Sequence, residues 1–104
     1  MSQRESRLSR KIMDAIRGRG YFCFKVHGTE FMMAGLPDII VCAEGLFIGL
    51  ETKLPESRTN VSVRQSFVHG QIELAGGIAS VVCSVDEALA VIEQALRDAG
   101  KLPG

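Results

Sequence analysis

Asp38-Ile-Ile-Val-Cys-Ala43 and Leu46-Phe-Ile-Gly-Leu-Glu-Thr-Lys53 are two apolar, β-rich runs separated by only Glu44 and Gly45. Two β-prone runs joined by two residues, the second a glycine that tolerates positive φ, predict a β-hairpin. With Glu44 and Gly45 at the centre of the turn, opposed positions sum to 89, so 43 faces 46, 41 faces 48 and 38 faces 51. Asp38 then stands directly opposite Glu51, on one face, with Cβ atoms about 5 Å apart. Lys53, two residues beyond Glu51, returns to that face. A slip of one residue would put the carboxylates on opposite faces.

Two carboxylates at that distance repel, which raises a pKa unless a cation lies between them. Mg²⁺ is commonly held by one or two carboxylates, with water and substrate phosphate completing the octahedron. A neighbouring lysine can orient a water or stabilise charge developing on phosphorus. The competing reading is a surface hairpin with a cross-strand salt-bridge cluster. The runs Ile39-Ile-Val41 and Phe47-Ile48 argue for burial on at least one face and favour the metal site.

At 104 residues the chain is expected to form a single domain, 1–104. It has no apolar tract of about 18 residues and no signal-like N-terminus, so a soluble cytoplasmic protein, away from membranes, is expected. Cys23, Cys42 and Cys83 are odd in number, lack metal-ligand spacing and lie in apolar runs, so buried free thiols are expected.

The net charge is zero but unevenly spread: residues 1–25 hold seven Lys or Arg against two acids, and residues 26–104 hold five against ten. Arg4, Arg7 and Lys11 recur at helical spacing and form the candidate phosphate-facing surface. Lys25 and His27, at the end of the first predicted strand, are further candidates for contact with a phosphate backbone, followed by Arg58, Arg64 and Thr29. The apolar stretch Phe31-Met32-Met33 is expected in the core or at a subunit contact.

Periodicity and punctuation give seven elements. A helix is predicted from Arg4 to Arg17, a strand from Tyr21 to His27, the hairpin strands, a loop over Pro55–Asn60 and a helix opening at the Ser62-Val-Arg-Gln65 capping box and ending at Gly76-Gly77. A strand over Ile78–Cys83 and a helix from the Ser84-Val-Asp-Glu87 capping box to Gly100 complete the chain. The order αβββαβα, with a helical crossover between strands, predicts an α/β fold with a central mixed sheet flanked by helices. Two side chains carry two readings each. Glu5, at the end of the first helix's apolar stripe, is either a third site acid or a helix-dipole acid; Gln65 either closes its capping box or turns its amide to the site.

Order, spacing and element type together resemble the PD-(D/E)XK nuclease superfamily, and more narrowly its VRR-NUC branch in the small free-standing form found in phages and bacteria. The resemblance runs from Glu5 through Gly35-Leu-Pro-Asp38, Phe47-Ile-Gly-Leu-Glu-Thr-Lys53, Gln65 and Ala75-Gly-Gly77 to Val81-Val-Cys-Ser-Val-Asp-Glu-Ala88. It implies an Mg²⁺- or Mn²⁺-dependent DNA endonuclease, a homodimer acting on branched DNA such as four-way (Holliday) junctions in the phage or bacterial host cytoplasm. It further implies that Asp38, Glu51 and the Thr52 carbonyl hold the metal, that Lys53 serves the attacking water, and that Glu5 and Gln65 complete the site. Phe67 or Val68 stands where many relatives carry tryptophan. The alternative is a subunit of the same fold that binds or assembles on nucleic acid without cleaving it.

Overall fold

The structure, a computed structural model, describes residues 2–102. The elements are α1 (Gln3–Gly18), β1 (Phe22–Lys25), β2 (Ile39–Ala43), β3 (Leu46–Thr52), a short 3₁₀ turn (Pro55–Ser57), α2 (Val63–Leu74), β4 (Ile78–Val82) and α3 (Val85–Asp98). This is the expected αβββαβα order, with the 3₁₀ turn inside the expected loop. β1 ends at Lys25, so His27 falls in the exposed segment after it rather than in the strand.

The sheet runs β1-β2-β3-β4, antiparallel across the first two junctions and parallel across the third. A two-residue turn can join only antiparallel neighbours, whereas β3 reaches parallel β4 by crossing over through α2. The hairpin has the expected register, pairing Ala43 with Leu46 and Val41 with Ile48. Glu44 and Gly45 take φ of 49° and 81°, the two positive angles that a twist-matched two-residue hairpin turn requires.

One face of the sheet is the main core. Ile39, Val41, Ile48, Leu50 and Val82 pack there against Ile12 and Ile16 of α1 and Ala88, Ile92 and Leu96 of α3, all fully buried. The stripes at helical spacing in α1 and α3 meet the odd positions of β2 and the even positions of β3, so the two periodicities interlock.

The opposite face carries Asp38, Ile40, Cys42, Phe47, Gly49, Glu51 and Lys53, and α2 covers it only over β3 and β4. Over β1 and the turn end of β2 it is bare, which leaves Phe22, Phe24 and Cys42 exposed, and Phe47 at the start of β3 is exposed too. Cys23 and Cys83 are buried as expected, with their thiols pushed up by burial; Cys42 corrects the expectation, because no helix reaches its face. Phe31, Met32 and Met33 are likewise exposed rather than core.

Where α2 does cover the sheet, packing is close. A Cβ on Gly49 would stand 2.6 Å from Pro37 Cγ, 3.0 Å from Pro37 Cβ and 3.6 Å from Ile72 Cδ1. Pro37 is thus seated on a bare backbone, just before Asp38 and the start of β2 at Ile39. Gly49→Ala must displace the ring, at a cost of about 1–3 kcal/mol. The expected result is a melting temperature lowered by roughly 5–15 °C together with impaired function at Asp38; an unchanged melting temperature would show that the proline moves freely.

Candidate metal centre and its comparison with known proteins

Asp38 lies one step before β2, where Val26 N–H donates to its carbonyl at 2.7 Å and prolongs the β1–β2 ladder. Its side chain turns across the hairpin, and Oδ2 accepts the Thr52 N–H at 3.0 Å. The carboxylate is therefore oriented by the backbone of the strand that carries Glu51 and Lys53. In an extended strand a residue's N–H and C=O project to the same edge, so the Thr52 carbonyl faces the edge on which Asp38 stands.

Glu51 is 3% exposed. Its Oε2 accepts from Gln65 Nε2 at 3.1 Å and lies 3.9 Å from Lys53 Nζ, whereas Oε1 is buried with no hydrogen-bond partner among the described residues. Burial, then the charge of the nearby Asp38 carboxylate, pushes the Glu51 carboxyl up to about 8, while Lys53 and Lys25 pull it down. Two carboxyls this close, one of them buried, favour a cation between them.

Gln65 closes its capping box and also reaches Glu51. Its Oε1 accepts the Ser62 N–H at 3.0 Å while Ser62 Oγ accepts the Gln65 N–H at 3.1 Å, closing the capping box; the other end of the same amide holds Glu51. An amide has an acceptor and a donor end, so cap and site did not compete.

Glu5 sits in the first turn of α1, half-buried, with its N–H donated to the N-cap Ser2 Oγ at 3.1 Å. No hydrogen bond joins its carboxylate to Asp38 or Glu51 among the described residues, and no three His, Cys, Asp or Glu side chains there converge to hold a metal. The centre as folded offers two carboxylates and a backbone carbonyl. That set fits a hard divalent cation, which needs few protein ligands. Glu51 Oε1, buried and unpartnered, has its lone pairs free to ligate one.

The basic candidates are dispersed. Arg4 pairs with Glu56 at 2.6 Å and Arg58 with Glu87 at 2.5 Å, while Arg64 lays its Cγ against Gly35. Arg7 and Lys11 line a cleft with Arg4, His27 and Thr29 are exposed, and Lys25 lies close enough to act on the Glu51 charge. His69 is a residue that sequence reasoning missed. It lies one turn beyond Gln65 on α2, its Nε2 is buried without a partner among the described residues, and burial lowers its pKa against the pull of Glu73 and Asp38. The spacing of four from Gln65 was the available signal.

No family model and no curated protein matches the sequence. Solved structures do. One described as "VRR_NUC domain" superposes with a TM-score of 0.71 at 21% identity, covering 88% of this chain and 97% of that one. Another, "VRR_NUC domain protein", gives 0.69 at 19% identity, covering 89% and 88%. The chain has the αβββαβα fold of VRR-NUC domains, the architecture expected from the order of its elements. No helix among the described residues is long and apolar enough to cross a membrane.

Proposed function

We propose that the protein is a metal-dependent DNA endonuclease that hydrolyses phosphodiester bonds. The observation that carries the reading is the confrontation of Asp38 with Glu51, whose buried Oε1 lacks a partner among the described residues and whose carboxyl is pushed up to about 8. The VRR-NUC fold supports it, and the carboxylates and lysine share the sheet face beneath the helix that supplies Gln65.

Asp38, Glu51 and the Thr52 carbonyl would hold Mg²⁺ or Mn²⁺. When bound, such an ion lowers the pKa of a coordinated water and neutralises charge on the scissile phosphate. The chain's own groups do the rest. The Thr52 N–H and the Gln65 amide keep the two carboxylates in place, so little rearrangement is needed on loading. Lys53, 3.9 Å from Glu51, would offer a cationic donor to the attacking water or the phosphate oxygens. Glu5 adds negative charge from α1, and a homodimer would present two such centres to a branched substrate.

The reading is tested with labelled linear, flap and four-way-junction DNA, incubated with Mg²⁺, with Mn²⁺ and with chelator. Cleavage that requires the metal, with a preference for junctions, is expected. Metal-independent binding to DNA without cleavage of any substrate would overturn the nuclease reading in favour of a binding subunit.

A further inference from the structure

Arg4, Arg7, Leu8 and Lys11 of α1, with Leu54, Pro55 and Cys83, line a cleft of about 420 Å³. Its position follows from the fold. Leu54 succeeds Lys53 at the end of β3, Cys83 succeeds Val82 at the end of β4, and the Lys53 N–H donates to the Val82 carbonyl at 3.0 Å. The floor of the cleft is thus continuous with the peptide that carries Lys53, at the carboxyl ends of two parallel strands, where open α/β sheets place their ligands.

The charges around the cleft are unequally matched. Glu56 ties Arg4 across the mouth to the 3₁₀ turn, and Glu87 ties Arg58 beside Cys83 while its other oxygen accepts the Cys83 N–H at 3.1 Å. Arg7 and Lys11 have no ion-pair partner among the described residues. Two cations therefore converge on a concave surface without an anion, and a third is held by an exposed carboxylate. Such an exposed pair is weak in water and yields readily to a stronger acceptor. A phosphodiester oxygen is such an acceptor, since arginine binds phosphate bidentately.

We propose that this cleft is a second phosphate site, occupied by a backbone phosphate of the DNA other than the one being cut, with Glu56 as its competitor for Arg4. The inference rests on the nuclease reading and extends it. The scissile phosphate lies over Asp38 and Glu51, and the strand then turns over the end of β3 so that a neighbouring phosphate meets Arg7, Lys11 and the released Arg4.

The test measures binding of a fluorescein-labelled four-way junction in chelator, where no cleavage intervenes, across a range of salt. Removing one cation from a phosphate should weaken binding about fivefold near physiological salt and reduce the slope of log affinity against log salt by about 0.9. Arg7→Gln with Lys11→Gln is expected to weaken binding more than about tenfold and flatten the slope. Glu56→Gln, which frees Arg4, is expected to tighten binding about two- to fivefold, a gain that a damaged fold cannot imitate. Arg97→Gln removes the same charge from the end of α3 and should change affinity less than about twofold. Inorganic phosphate at matched ionic strength should not displace the junction; displacement would make the site one for a free anion and overturn the assignment. A double variant that binds like the wild type, or a Glu56→Gln variant that binds more weakly, also overturns it while leaving the nuclease reading intact if the wild type cleaves. A wild type that neither binds nor cleaves overturns both.

Discussion

Glu51→Gln is expected to abolish cleavage, by about 10³-fold or more, and at the same time to stabilise the metal-free protein at alkaline pH. In the unfolded chain the carboxyl titrates near 4.5, and in the folded one it is pushed up to about 8. Below the first value both states keep the proton. Between the two the unfolded chain releases it while the folded one retains it, so the contribution of Glu51 to stability falls as pH rises and is fully gone above about 8. Glutamine does not titrate. Its amide leaves a buried donor without a partner, at about 1–3 kcal/mol, so the variant should melt below the wild type near pH 5 and roughly 5–10 °C above it near pH 9. Mg²⁺ should raise the melting temperature of the wild type alone. Parallel melting curves for the two proteins from about pH 5 to 9 would show that Glu51 does not bear the strain assigned to it.

Lys53→Ala is expected to lower the cleavage rate by about 10²–10⁴-fold while leaving Mn²⁺ binding in place. The lysine is no metal ligand. Its ammonium lies 3.9 Å from Glu51 Oε2 with a side chain 16% exposed, beside the candidate metal ligand and within reach of solvent. Lys53→Arg keeps the charge but spreads it over a rigid planar fork, so partial rescue is expected, well short of wild type. Thermal shift with Mn²⁺ separates the two roles: an alanine variant that cleaves at more than a tenth of the wild-type rate would remove Lys53 from the chemistry, and one that loses the Mn²⁺ shift would make it a support of the metal centre instead.

The hairpin was legible because two constraints met there. A two-residue turn sets the register and period two sets the face, so Asp38 against Glu51 followed from position alone. The helices were legible from their capping serines and apolar stripes, and the end of β1 was not, since nothing in Val26 and His27 marks where ladder bonding stops. Cys42 was misjudged for a different reason. Apolar composition suggests burial, but whether a helix covers a given half of a sheet depends on where the crossover places α2, a tertiary fact with no local signature. The cleft beside α1 was hidden likewise, because residues far apart in the chain create it.

The Gln65 amide is held at both ends, by the first peptide of α2 and by a site carboxylate. Helix ends fray, and helix–coil steps take about 0.1–1 μs. Unwinding the first turn of α2 therefore removes the Gln65 hold on Glu51 as well, so a serine cap far along the chain helps to orient a carboxylate of the centre.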